Sequence, residues 1–200
     1  MVSSGGAIQL LRNTHLGDGD FLVTDVPLAN AFHDVLVDKL TGDIILATDT
    51  PAFHLSRSSD GGLSFSSEAN PNGSAFFSDW AGSAGLIYAV GTSGGSNDID
   101  VISVADLAVG TSVTGLVEMS TSQARAIDAD AFGNAYVASQ QDDGTIQVDR
   151  MLVNSGEILA ADVRNFGTGL MPGIAALPSN NGAIVVYTVG TDVFVTIEVY

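Results

Sequence analysis

The feature that most constrains the fold of this chain is an internal repeat. Four segments share a short apolar run, a glycine-containing turn and a stronger apolar run that ends near Ala or Val. The glycines of the four turns fall 43, 48 and 49 residues apart, at Gly42, Gly85, Gly133 and Gly182. A period of about 40–50 residues is typical of the four-stranded blades of a β-propeller. The spacing therefore predicts a series of similar units, each built from a few short strands.

Each repeat continues with a third apolar run, and the first three repeats continue with a weaker fourth. In TIQVDRML and DVFVTIEVY, apolar and polar residues alternate, which is the period of a β-strand and not of a helix. The segment PLANAFHDVL contains Pro27 and is interpreted as a loop. The sequence thus predicts an all-β fold, a small β-propeller of about four four-stranded blades in a single domain over 1–200. A β-sandwich of similar strand count is the alternative.

The two ends of the chain raise the question of ring closure. The predicted blades cover 33–75, 76–122, 123–169, and 170–200 plus 1–32. The last repeat shows three strands, and the N-terminal AIQLLRNTHLGDGDFLVTDV resembles the third and fourth strands of the repeat that begins at Ala124. An outer strand supplied from the N-terminus would close the ring and hide an open sheet edge. Because two strands are available where one is missing, closure within one chain and completion by another chain both remain open.

The charge balance excludes several classes of partner. Twenty-three acidic residues face six basic ones, for a net charge of −17. Such a field repels phosphate backbones, so no nucleic-acid partner is expected. No apolar run approaches the roughly 18 residues of a membrane helix, and no signal peptide is visible at the N-terminus, so no membrane insertion is expected. The absence of cysteine excludes disulfides and thiolate metal sites.

One short stretch, SSDGGLSF, resembles the Asp box of sialidase-like BNR repeats, Ser-x-Asp-x-Gly-x-Thr-Trp. Ser58, Asp60 and Gly62 match the box, whereas Ser64 and Phe65 replace its Thr and Trp. The resemblance implies a hairpin between the third and fourth strands of a blade. In such a turn the Asp accepts hydrogen bonds from backbone N–H groups, and the aromatic ring fills the space between sheets. The box is therefore predicted to be structural.

A second stretch, AIDADAFGNAYVAS, resembles the Asp-x-x-Gly-Asn-x-Tyr-Val turn of SBBP and NHL-type propeller repeats. Sialidases themselves use three arginines for the substrate carboxylate, a Tyr nucleophile with a Glu partner, and an Asp acid/base. Here only Arg125 lies on a predicted first strand, and no Tyr–Glu pair stands at corresponding blade positions. The resemblance implies the fold without the sialidase activity, and an enzyme is not the favoured interpretation.

Three aspartates, Asp38, Asp79 and Asp128, are predicted to end successive first strands and to converge at one mouth of the ring. With Trp80 stacking on a sugar face, they form a candidate ligand mouth, and two carboxylates can serve as the acid and base of a glycosidase. The favoured alternative is that each Asp opens the following turn and that Trp80 is buried between blades. Asp128 and Asp130 are weak candidates for Ca²⁺ ligands, and no other cofactor is expected.

These observations favour a non-enzymatic structural or interaction module that binds a protein or glycan partner, as a homo-oligomer or within a larger assembly. The expected location is extracellular, at a cell surface, or on a virion as a phage tail or fibre protein. The alternative is a glycan-processing hydrolase with its carboxylates at the propeller mouth.

Overall fold

Every regular element of the described chain is a β-strand. The computed structural model describes residues 2–4, 7–13, 21–26, 32–38, 40–48, 54–67, 69–71, 76–93, 96–114, 125–141, 143–154, 157–178 and 182–199. The all-β prediction is confirmed. No helix of the described residues has the length and apolar character needed to cross a membrane.

Within the residues that the structure describes, seventeen strands form five antiparallel sheets whose strands pair in chain order. The N-terminal sheet contains β1 (Val2–Ser4), β2 (Ala7–Asn13) and β3 (Phe21–Val26). The second sheet contains β4 (Phe32–Val37), β5 (Ile44–Thr48) and β6 (His54–Ser58). The third contains β7 (Phe76–Ser83), β8 (Leu86–Ser93), β9 (Ser96–Ser103) and β10 (Val109–Thr114).

The fourth and fifth sheets follow the same pattern. The fourth contains β11 (Arg125–Ala129), β12 (Ala135–Gln140), β13 (Thr145–Asn154) and β14 (Glu157–Thr168). The fifth, called here the end sheet, contains β15 (Leu170–Ala176), β16 (Gly182–Val189) and β17 (Asp192–Val199). Described short turns join β7 to β8 and β11 to β12, as the glycine-containing repeats predict.

The sheets stack in series, with one apolar layer between each pair of neighbours. In β8, Ile87 and Ala89 pack towards the second sheet, whereas Tyr88 and Val90 pack towards the fourth. This division follows from the strand period of two, which sends successive side chains to opposite faces. Because both faces are covered, the four consecutive residues Ile87, Tyr88, Ala89 and Val90 of β8 are all fully buried. Further layers join the first sheet to the second and the fourth sheet to the end sheet.

Contacts between successive first strands hold the stack together on one side. β4 contacts β7, β7 contacts β11, and β11 contacts β15. Stacking of consecutive sheets through their first strands is the way neighbouring propeller blades meet. Among the described strands this series is open and not a closed ring.

The N-terminal strands occupy a different place from the one predicted. β1, β2 and β3 pair with one another as a separate sheet, and in the described chain none of them pairs with the end sheet. Leu10 of β2 instead packs with Ile44 and Leu46 of β5 and with Phe65, which follows β6. The expected completion of 170–200 by 1–32 is therefore not met among these strands. The apolar face of β2 is covered by the unit that follows it in the chain.

The second sheet has an irregular outer edge where a fourth strand was predicted. After β6, Ala69 forms an isolated bridge with Leu55, and the Ser66 N–H donates to the Arg57 carbonyl at 2.7 Å. The segment therefore lies alongside β6 without forming a regular strand.

Candidate functional site

The Asp box forms a tight turn after β6 that is organised by one carboxylate. Asp60 Oδ1 accepts hydrogen bonds from the Leu63 and Ser64 N–H groups at 2.9 and 3.0 Å, and from Ser58 Oγ at 2.8 Å. Asp60 Oδ2 accepts from Ser64 Oγ at 2.6 Å. Hydrogen bonds from the Ser64 hydroxyl, the Ser64 N–H and Ser58 hold the pKa of Asp60 far below its usual range. The carboxylate therefore stays ionised and acts as the acceptor at the centre of the turn.

Gly62 gives this turn its close contact with the N-terminal sheet. Its φ is +88°, a conformation that L side chains rarely adopt, and an added Cβ would lie 2.6 Å from Leu10 Cδ2. Thr24 Oγ1 of β3 also donates to the Gly62 carbonyl at 2.7 Å. The box thus joins two sheets as well as closing a turn.

Arg57, beside the box, is held by two turns, the one between β4 and β5 and the one between β9 and β10. Its Nε lies 2.6 Å from Asp43 Oδ2, and its Nη1 donates to the Ala105 carbonyl of the third unit at 2.7 Å. The side chain of Asp43 is 6% exposed and that of Arg57 is 27% exposed. The guanidinium is therefore fixed in place while part of it still faces solvent.

Two shallow clefts adjoin this guanidinium. One has a volume of about 280 Å³ and is lined by Arg57, Ser59, Ser64, Phe65 and Ser66. The other, of about 210 Å³, shares Arg57 and Ser66 and extends to Ser67, Ala69, Ala105, Asp106 and Leu107. Together they offer hydroxyl groups, guanidinium N–H groups and one half-buried aromatic ring. We call these two hollows the Arg57 cleft.

The aspartates of the predicted ligand mouth serve instead to join neighbouring sheets. Asp79 Oδ2 accepts the Ile127 N–H at 2.9 Å, and Asp128 Oδ2 accepts the Ala176 N–H at 2.8 Å. In both residues Oδ1 accepts the N–H of the next residue in the chain, at 2.9 and 2.8 Å respectively. Each carboxylate thus satisfies a backbone donor on the following first strand.

Asp38 does not occupy the same position as the other two. It follows β4 and opens the β4–β5 turn, where its Oδ1 accepts the Leu40 and Thr41 N–H groups, and its Oδ2 accepts the Gly85 N–H at 2.9 Å. Burial acts to raise the pKa of Asp38, but these hydrogen bonds outweigh it and hold the pKa below its usual value. Asp79 thus lies within β7 and Asp38 lies in a turn, so the three aspartates do not all end first strands, and the ligand mouth stays a prediction.

Asp34 is the residue of β4 that matches Asp79. Each of the two aspartates comes directly after a shift in the strand register, in β4 and in β7 respectively. Asp34 pairs with Ala47 and Asp79 pairs with Val90, and each partner lies five residues after the turn glycine, Gly42 or Gly85. Asp34 Oδ2 accepts a hydrogen bond from Trp80 Nε1 at 3.3 Å. The sequence did not single out Asp34, because the bulge that sets the direction of its side chain leaves no mark in the spacing of apolar residues.

Trp80 lies within β7. It is 5% exposed and belongs to the apolar layer between the second and third sheets. Its indole ring is therefore not available to stack on a sugar. Trp80 is buried between two sheets, as the favoured alternative predicted.

Asp130 organises the β11–β12 turn. Its Oδ1 accepts the Phe132 and Asn134 N–H groups, and its Oδ2 accepts Asn134 Nδ2 and Tyr136 Oη. Within the described ranges, no three His, Asp or Glu side chains are placed to hold a metal ion. The Ca²⁺ hypothesis for Asp128 and Asp130 stays a prediction.

The fold is similar to that of solved sialidase structures. Two structures of the NanB sialidase from Streptococcus pneumoniae, one in complex with 2-[(3-chlorobenzyl)ammonio]ethanesulfonate and one of a mutant, superpose with TM-scores of 0.59 and 0.60 at 16% sequence identity. Each match covers 90% of this chain and 32% of the sialidase chain, so the protein spans about a third of that length. No family model matches the sequence, and neither does any curated protein.

Proposed function

We propose that this protein is a non-enzymatic glycan-binding module built on an open run of β-propeller blades. The observation that carries the proposal is the Arg57 cleft, where a guanidinium fixed by two turns meets three serine side chains and one aromatic ring. Sugars are bound by such mixtures of hydrogen-bonding groups and an aromatic surface. We also propose that the protein is located at a cell surface or on a virion, where a binding module meets displayed glycans.

The charges around the cleft favour a neutral glycan. Asp43 already compensates the charge of Arg57, and the carboxylate of Asp60 stays ionised in the adjacent turn. The guanidinium therefore provides directed N–H donors without a net positive field, so an acidic sugar gains little there. A cleft of about 280 Å³ lies near the lower end of small-molecule sites, which suits one or two sugar rings at the end of a chain.

A hydrolase is the second candidate, and the carboxylate geometry argues against it. A glycosidase needs an acid and a base that flank an accessible bond. Asp79 and Asp128 instead each accept a backbone N–H from the next sheet as well as a local one. Their lone pairs are thus directed to structural donors.

The test is binding to an array of neutral and acidic glycans, followed by calorimetry on the best ligand, in calcium and in EDTA. We expect neutral glycans to bind and Ser59→Trp to abolish binding, because the indole would fill the cleft without removing any of the hydrogen bonds described above. Leu63→Trp is the matched control, since Leu63 is 54% exposed in the same turn but lines neither hollow. Equal loss of affinity in both variants, or no binding at all, would reject the cleft as the site.

The hydrolase alternative needs a separate assay. The unmodified protein is incubated with a panel of chromogenic glycosides, and no turnover above the buffer rate is expected. Turnover that is lost in both Asp79→Asn and Asp128→Asn, with the circular dichroism spectrum retained, would favour the hydrolase.

A further inference from the structure

The end sheet carries an apolar layer that nothing in the described chain covers. Four residues of β17, Val193, Val195, Ile197 and Val199, have exposed fractions of 61–65% and alternate along the strand on one face. Val195 pairs with Val186 and Ile197 pairs with Ile184, so the stripe continues onto β16. We call this surface the outer face of the end sheet.

The opposite face of the end sheet is also apolar, and it is covered by the fourth sheet. There, Val185, Tyr187 and Ile174 pack against Ala138, Val148 and Phe166 of the fourth sheet. Equivalent layers join the other neighbouring sheets. The outer face therefore continues a series of sheet-on-sheet contacts, and its composition suits another sheet rather than solvent.

The charge distribution points to the identity of the covering sheet. Asp192 and Glu198 are the only charged residues of β15, β16 and β17. They pair with Val189 and Ala183 and so lie on the face opposite the stripe. The outer face is thus uncharged on a molecule with a net charge of −17. Two copies that meet through this face bring together their neutral surfaces and keep their acidic surfaces apart.

From these observations we propose that the outer face of the end sheet docks on the outer face of a second copy, forming a two-fold dimer. An isologous contact requires a patch that is complementary to itself, and an uncharged stripe of Val and Ile residues meets that requirement. The two sheets pack face to face, with their β17 stripes in contact across the axis. This surface is separate from the Arg57 cleft, so the dimer and the glycan site can fail independently.

The first test is the mass in solution over a series of protein concentrations, by light scattering after size exclusion. We expect a dimer of the 20.5 kDa chain whose affinity rises with salt, because salt screens the repulsion between acidic surfaces. Val195→Lys is expected to weaken association about tenfold or more, since the ammonium would be buried without a partner. Val23→Lys, on a valine of β3 that is 52% exposed against 64% for Val195, is the matched control and leaves the dimer intact.

The second test exploits the absence of cysteine from the chain. Val195→Cys treated with a short bismaleimide should give a covalent dimer at concentrations where Val23→Cys does not. A monomer at every concentration, or cross-linking through Val23→Cys alone, overturns the proposal. Circular dichroism of Val195→Lys establishes that loss of association does not arise from unfolding.

Discussion

The carboxylate of Asp79 accepts a hydrogen bond from the backbone N–H of Ile127 at 2.9 Å, across 48 residues of chain. The same separation joins Asp128 to Ala176, and nearly the same joins Asp34 to Trp80 and Asp38 to Gly85. Because the repeat period is 43–49 residues, each bond connects one unit to the next. Aspartate therefore serves this fold as an inter-sheet linker.

We expect Asp79→Ala to lower the free energy of unfolding by roughly 1–3 kcal/mol, because the Ile127 N–H would lose its acceptor within the interface. Asp143→Ala is the control. Asp143 is exposed, and the hydrogen bonds it accepts from the N–H and the hydroxyl of Thr145 are local, so its removal costs less. Urea denaturation followed by circular dichroism measures both. Equal destabilisation of the two variants would contradict the linking role.

We expect the single tryptophan, Trp80, to report on the contact between the second and third sheets. Its burial predicts a blue-shifted emission and slow quenching by acrylamide, both lost on unfolding. Trp80→Phe, which removes the hydrogen bond to Asp34, should cost about 1–3 kcal/mol, part of it from the space left in the apolar layer. A quenching rate in the native protein equal to that of the unfolded chain would show that Trp80 is exposed.

We expect Gly62→Ala to destabilise the protein more than Gly42→Ala. Both glycines have positive φ, +88° and +76°, so both substitutions strain the backbone by about 1 kcal/mol. Only at Gly62 would the new methyl group meet Leu10 of the N-terminal sheet, whereas nothing lies within 4 Å at Gly42. Thermal unfolding of the two variants compares them directly. Identical melting temperatures would argue against packing of β2 on the Asp box.

We expect Asp149 to make stability fall as the pH rises from about 4 to 6. Burial raises the pKa of this carboxyl to about 6, although hydrogen bonds from the Gln147 amide oppose the rise. The folded state therefore binds a proton that the unfolded chain has released, so the stabilisation is complete below the ordinary pKa of 3.8 and is lost as the pH passes 6. Asp149→Asn should flatten this slope.

The size of the Asp149 effect follows from the same shift. At pH 8, Asp149→Asn is expected to be more stable than the original protein by roughly 1–3 kcal/mol, since no charge has to be buried. Urea titrations at pH 4, 6 and 8 measure the difference, with Asp143→Asn as the exposed control. An unchanged slope in Asp149→Asn would show that another group is responsible.

The repeat spacing and the strand period predicted the all-β fold and the first three strands of each repeat. Alternation in DVFVTIEVY and TIQVDRML marks β17 and β13. Three of the repeat glycines, Gly42, Gly85 and Gly133, lie between a first and a second strand, and the fourth, Gly182, begins β16. Local turn chemistry was also readable, because the acceptor in an Asp box lies within four residues of its donors.

The neighbours of each strand were decided only in the tertiary structure. The direction of Asp79 depends on a bulge after Phe77, and its donor lies on another sheet. The burial of Trp80 likewise depends on where the second sheet packs. Short-range patterns fix which face of a strand a residue occupies, because side chains alternate every residue. They carry no information about which sheet lies against that face, and so neither the Arg57 cleft nor the open outer face was visible in the sequence alone.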